Sequence, residues 1–94
     1  MNKKELARYV ALDCGTSIQQ AEEILNSILR NIAGAVSEGD VVEFVGFGSF
    51  EAKLRKKRKG FNLKTNEQIE IPARIVPVFR AGKKFKEQVN RKGG

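Results

Sequence analysis

The chain has no histidine and no tryptophan, one cysteine and two prolines in 94 residues. Without histidine there is no imidazole base, no histidine-ligated metal and no serine-type triad. The single Cys14 excludes an internal disulfide and fits a reducing compartment. Its sequence neighbours Asp13 and Gly15 supply no cation to lower a thiol pKa, so it reads as a small buried apolar residue near a helix end. No apolar run approaches the roughly 20 residues of a membrane span, and no signal-peptide core is visible, so a soluble, intracellular protein is expected. Gly46-Phe47-Gly48 is too short for a phosphate loop, and no Gly-Lys-Ser/Thr follows it. Apart from the adjacent Glu22-Glu23 the acids stand singly, so an enzyme using them with a bound metal is a remote alternative. The expectation is a non-enzyme with no cofactor, metal or small-molecule substrate.

What the chain does have is charge. Lysine and arginine outnumber aspartate and glutamate 18 to 11, a net of +7, which points to a polyanionic partner such as nucleic acid or an anionic membrane surface. The first 50 residues hold four bases (Lys3, Lys4, Arg8, Arg30) against seven acids, so the excess lies entirely in the second half. The length predicts one domain, 1–94, with a core so thin that self-association would help it.

The N-terminal part, 1–39, reads as two helices. Asn2 and Glu5 have the spacing of a capping box; Leu6, Tyr9, Val10 and Leu12 give a short apolar stripe, and Gly15 is a stop. Ser17 caps the second helix with Gln20 reaching back. Its stripe runs through Ile18, Ala21, Leu25, Ile28, Ile32 and Ala35 and is widened by Ile24, Leu29 and Val36. That face is about five turns long, too much for the first helix to cover, so the remainder must meet a sheet or a second copy of the chain.

After Gly39-Asp40 the period changes to two. Val41 to Val45 reads as a strand, Gly46-Phe47-Gly48 as a reversal, and Ser49 to Arg58 as a second strand. The third alternates Ile69, Ile71, Ala73 and Ile75 with polar residues, and its Pro72 and Pro77 require a bulge or an edge. Gly82 opens a short basic helix, Lys83 to about Asn90, with Phe85 and Val89 inward, inside a C-terminal segment 83–94. The fold class is α+β: two helices, a three-stranded antiparallel sheet over 40–82 with an extended hairpin arm at about 54–72, and a last helix.

Arg55, Lys56, Lys57, Arg58 and Lys59 are five consecutive bases, ordinarily a solvated face. Here alternating apolar residues resume at Ile69 and pair with the strand before, making one long hairpin that projects roughly 30 Å at about 3.3 Å per residue. Each phosphate it neutralises releases counterions, with a salt slope of about −0.9 per duplex contact, while few residues can read bases (Asn62, Asn66, Gln68). Phe61 and Leu63 are apolar residues in a basic tip: packing across the turn explains Phe61 adequately, and Leu63 is the better candidate wedge. Arg80, Lys83, Lys84, Lys86, Arg91 and Lys92 form a second basic set around the last helix, whose N-terminus after Gly82 is a natural phosphate seat.

With these residues in view, the whole chain resembles the HU/IHF family of bacterial histone-like DNA-bending proteins. The similarity is carried by Val45-Gly46-Phe47-Gly48-Ser49-Phe50, Ile71-Pro72-Ala73, Val76-Pro77-Val78-Phe79 and Ala81-Gly82-Lys83. The resemblance implies an intertwined dimer, homodimeric or with a paralogue, in which Phe47, Phe50 and Phe79 match the family's core aromatics. Leu25, Ile28, Leu29, Ile32 and Phe44 are expected to complete the core and dimer contact.

It further implies two arms gripping double-stranded DNA in the minor groove. HU and IHF are themselves standard instances of such binders, so the groove follows from the resemblance; the residues alone favour the wider major groove. The tip departs from the family, with Gly60-Phe61-Asn62-Leu63 where relatives have Gly-Arg-Asn-Pro, and Asn66 where they have glycine.

The expected function is bending or compaction of duplex DNA with little sequence preference, in the cytoplasm on the nucleoid. The expected contacts are Arg55, Lys56, Lys57, Arg58, Lys59, Phe61, Asn62, Leu63, Lys64, Arg74, Arg80, Gly82, Lys83 and Lys86. The alternatives are a basic RNA-binding or ribosome-associated protein and a sequence-selective IHF-like bender.

Overall fold

The computed structural model describes residues 1–93; Gly94 of the expected tail and the Lys92 side chain of the second basic set lie outside the described residues. The chain divides into two compact units, Met1–Ala35 and Val36–Gly94.

In the first unit the caps form as their spacing requires. The Glu5 N–H donates to Asn2 Oδ1 at 2.9 Å to start α1 (Lys3–Cys14), and Gly15, left-handed at φ 68°, ends it. The Gln20 N–H donates to Ser17 Oγ at 3.1 Å and the Ser17 N–H to Gln20 Oε1 at 3.4 Å, a reciprocal box at the start of α2 (Ile18–Ser37). Lys3 Nζ donates to Asn26 Oδ1 at 2.6 Å, tying the start of α1 to the middle of α2.

The inward face of α1 differs from the expected stripe. Ala7 and Ala11, one turn apart, are buried with Ala21 of α2, and Val10 and Leu25 pack around them. Side chains this small leave Leu6, Tyr9 and Leu12 exposed. Cys14 does end a helix, but it is exposed rather than buried. On α2, Ile18, Ile24, Ile28 and Leu29 remain open and Ile32 is half-buried.

The second unit contains β1 (Val42–Phe44), β2 (Gly48–Arg55), β3 (Arg58–Asn62), β4 (Glu67–Ile71), β5 (Arg74–Ala81) and α3 (Lys83–Gly93). The antiparallel sheet has the order β1-β2-β5, and β3 pairs with β4 in a separate two-stranded ribbon. The two long strands expected from the sequence are therefore each interrupted, after Arg55 and after Ile71. Register is nevertheless kept: Arg55 pairs with Arg74 and Arg58 with Ile71, so equal two-residue gaps face each other with no bulge. Pro72, which has no N–H to donate, lies in one gap. Pro77 pairs with Ala52 on β5, an edge strand, as a proline in a sheet must.

Five phenylalanines form one cluster in this unit. Phe47 stacks on Phe85 with ring centroids 4.6 Å apart, Phe50 meets Phe79 at 4.8 Å, and Phe44 approaches Phe47 and Phe50 edge-on. The inward expectation holds for Phe85 but not for Val89, which lies exposed on an apolar groove with Ala81 and Phe85. Gly48 is buried against this cluster; a Cβ there would lie 2.5 Å from both the Arg80 carbonyl oxygen and the Phe79 ring. No helix among the described residues is long and apolar enough to cross a membrane.

Candidate nucleic-acid interface

Paired residues of an antiparallel ladder point to one side, so the β3-β4 register assigns the ribbon's two faces. Lys59 and Phe61 share a face with their partners Glu70 and Gln68. Arg58, Gly60 and Asn62 share the other with Ile71, Ile69 and Glu67. On that second face the isoleucines fold over Gly60, where a Cβ would lie 2.8 Å from Ile71 Cδ1. Glycine lets the apolar side of the ribbon close onto its own backbone.

The turn is held by Asn62 and Asn66. The Asn66 N–H donates to the Asn62 carbonyl at 2.7 Å and the Lys64 N–H to Asn62 Oδ1 at 2.9 Å. Asn66 has φ 63°, the left-handed conformation that asparagine tolerates in place of glycine. The Asn62 side-chain oxygen is thus engaged in shaping the tip. Leu63, 87% exposed, stands beside Lys64 at the end of the ribbon.

At the junction of ribbon and sheet, Arg55, Lys56, Arg58 and Arg74 line an open cavity of about 590 Å³ together with Ile71, Pro72 and Val76. Four cations and no acid line it, an arrangement suited to an anion. Two other cations are engaged by acids: Lys57 Nζ, in the gap beside the cavity, lies 3.1 Å from Glu70 Oε2, and Arg80 Nε, at the far end of β5, lies 2.7 Å from Glu51 Oε1. Sequence reading missed both acids. Strand period alone gave no signal for them, because both pairs depend on which strands lie side by side and in what register.

The start of α3 is built into the Gly46-Phe47-Gly48 reversal. The Gly82 N–H donates to the Phe47 carbonyl at 2.7 Å and the Phe85 N–H to the Gly46 carbonyl at 3.3 Å. A Cβ on Gly82 would lie 3.1 Å from Phe47 backbone, so this glycine's position is a packing requirement. Lys83 and Lys86 are exposed on the helix, and Lys84 lies against Gly46. Of the expected contact residues, Arg55, Lys56, Arg58 and Arg74 are gathered at the junction. Lys57, Lys59, Phe61, Asn62, Leu63 and Lys64 lie along the ribbon and its preceding gap, and Arg80, Gly82, Lys83 and Lys86 lie at the opposite end of β5 and on α3.

A helical pair, a small antiparallel sheet and a cationic two-stranded ribbon continuing it define the class of β-armed, histone-like proteins. The family model described as bacterial DNA-binding protein matches residues 1–90, and the chain belongs to that family, the HU/IHF proteins. It is 53% identical over 89 residues to DNA-binding protein HU of Nostoc sp., covering 95% of each chain. It is 45% identical to DNA-binding protein HU of Thermotoga maritima, covering 95% of this chain and 99% of that one. Among solved structures it is similar to an Anabaena HU–DNA cocrystal structure, with TM-score 0.90, 53% identity and coverage of 95% of this chain and 97% of that chain.

Proposed function

We propose that the protein is an architectural DNA-binding protein, not an enzyme, which as a dimer on the nucleoid bends or compacts duplex DNA with little sequence preference. The observation that carries this reading is the β3-β4 ribbon. It pairs only with itself, presents cations along its length and at its root, and continues the register of the sheet that bears it. Such a ribbon neutralises phosphates, and the affinity it supplies is indifferent to sequence. The relative solved with DNA shares this fold and half its residues.

The dimer rests on what a single chain leaves uncovered. Among the described residues no large side chain is fully buried, and the buried apolar set is Ala7, Ala11, Ala21 and Val36. Ile28 and Leu29 on α2, and Phe44, Phe47 and Phe79 in the sheet unit, are each between 40% and 52% exposed. Covering the open half of each side chain contributes on the order of 1 kcal/mol. A second copy has the same faces to offer, as a twofold assembly requires. In this reading Leu25 and Ile32 extend the α2 face and Phe50 the aromatic one, and 1–39 is the dimerising part.

The cations at the ribbon root (Arg55, Lys56, Arg58, Arg74), along it (Lys57, Lys59, Lys64) and around α3 (Arg80, Lys83, Lys86) take phosphates, while Leu63 enters the base stack. Gly82 acts by seating the α3 N-terminus on the reversal. Binding to a random-sequence duplex, measured by fluorescence anisotropy from 50 to 300 mM salt, is expected to weaken with a log–log slope of about −0.9 for each phosphate contact. Absence of duplex binding at 50 mM salt would overturn the reading; preference for single-stranded RNA would favour the ribosome-associated alternative instead.

A further inference from the structure

The cavity at the root of the ribbon spans the break between ribbon and sheet. Arg55 and Arg74 are the last pair of the β2-β5 ladder, Arg58 and Ile71 the first pair of the β3-β4 ladder, and Lys56 and Pro72 stand in the gaps between them. Its volume of about 590 Å³ is that of a pocket for one small molecule. All four of its cations are free of ion pairs, since the ion pairs among the described residues are Lys57–Glu70 and Arg80–Glu51. Phosphate groups account for these cations but leave the other wall, Ile71, Pro72 and Val76, without a use. Val76 follows Arg74 by two on β5, so alternation sets it on the same face as the Arg55–Arg74 pair. The cavity therefore pairs an acid-free cationic side with an apolar one.

We propose that this cavity is a binding site for a free nucleoside triphosphate, one per chain. The guanidinium groups of Arg55, Arg58 and Arg74 and the Lys56 ammonium take the phosphates, and the base lies on the wall of Ile71, Pro72 and Val76. The arginines stand on both sides of the break, so a ligand held by all three splints the ribbon to the sheet. The same cations are assigned above to the phosphates of DNA, so nucleotide and duplex compete. The site stands on the cavity itself; only the competition rests on the DNA-binding reading.

Any strongly basic protein gathers anions loosely, and calorimetric titration at about 150 mM salt without divalent cations separates a built site from such a counterion cloud. ATP is expected to saturate at one per chain and to bind on the order of tenfold more tightly than inorganic tripolyphosphate, which has at least as much charge but no base to cover the apolar wall. Adenosine, with no phosphate, is expected to show no measurable binding. Arg74→Gln should weaken ATP binding severalfold, and Val76→Ser should bring the ratio of ATP to tripolyphosphate affinity close to one. With ATP bound, amide exchange in residues 58–62 and 67–71 should slow severalfold, and a labelled duplex should be displaced. Tripolyphosphate binding as tightly as ATP, uptake beyond one per chain without saturation, a ratio that survives Val76→Ser, or exchange unchanged by ATP would overturn the nucleotide site while leaving the DNA-binding reading intact. Saturable ATP binding by a protein that ignores duplex DNA would uphold the site and overturn that reading instead.

Discussion

Leu63 occupies the tip of the ribbon, 87% exposed with nothing apolar in its own turn to rest on, and so is free to act as the proposed wedge. Wedges of this kind unstack a base step and kink duplex DNA by about 20–90°. Leu63→Ala is expected to reduce the bend angle, read by end-to-end FRET on a labelled duplex, more than it reduces affinity; an unchanged angle would remove the wedge role. Glu70 acts in the other direction, lying 3.1 Å from Lys57 and placing a negative charge on the ribbon proposed to take phosphates. The pair is exposed on both sides and stabilises little. Glu70→Gln should therefore leave thermal stability unchanged and tighten duplex binding about two- to fivefold at low salt. At Gly48 the argument is steric. A methyl group 2.5 Å from the Arg80 carbonyl and the Phe79 ring forces the β2-β5 pair apart, so Gly48→Ala should cost about 2 kcal/mol or more in urea unfolding. The caps at Asn2 and Ser17 were legible in the sequence because each partner lies three residues away. The crowding at Gly48 and the Arg80–Glu51 pair were not, because they depend on a strand register that joins residues about 30 positions apart.

The ribbon is separated from its sheet by matched gaps, Lys56-Lys57 facing Pro72-Ala73, within one unbroken register. Proline removes a ladder hydrogen bond, and two facing pairs without strand geometry make a place where the ribbon can swing. The adjacent cavity adds four like charges, whose mutual repulsion an entering anion would relieve. Pro72→Val supplies the missing N–H and should extend the ladder through the gap, slowing amide exchange in residues 58–62 and 67–71 severalfold. Unchanged protection would mean that the break is set by the charges rather than by the proline. The sequence announced a defect at Pro72 but not its form, since bulge or break is decided by whether Lys56 and Lys57 keep their pairing. It also gave only part of the face that α1 packs inward: of the expected stripe, Val10 meets the core. Leu6, Tyr9 and Leu12 scored as apolar, whereas close approach of α2 selects the small Ala7 and Ala11. Hydrophobicity indicates what can be buried; the distance between two helices decides what is.

At the scale of the molecule, the chain puts seven of its eleven acids and its open aliphatic stripe in the first half of the sequence and its excess of positive charge in the second. This division was legible from charge and periodicity alone. The partner was not, because a broad apolar stripe says only that something must cover it. If a second copy is what covers it, folding and association are one equilibrium, and stability must depend on protein concentration. Each tenfold increase should add about 1.4 kcal/mol of stability and raise Tm by about 3–5 °C for an assembly of this size. Ile28→Glu sets a like charge on both copies of a stripe that has to be dry. In this variant the concentration dependence should disappear together with cooperative unfolding, because among the described residues the buried apolar set of one chain is three alanines and a valine. A wild-type Tm that stays constant over a hundredfold range of concentration would show that the single chain is stable without its partner. The open faces of α2 and of the aromatic cluster would then require some other cover.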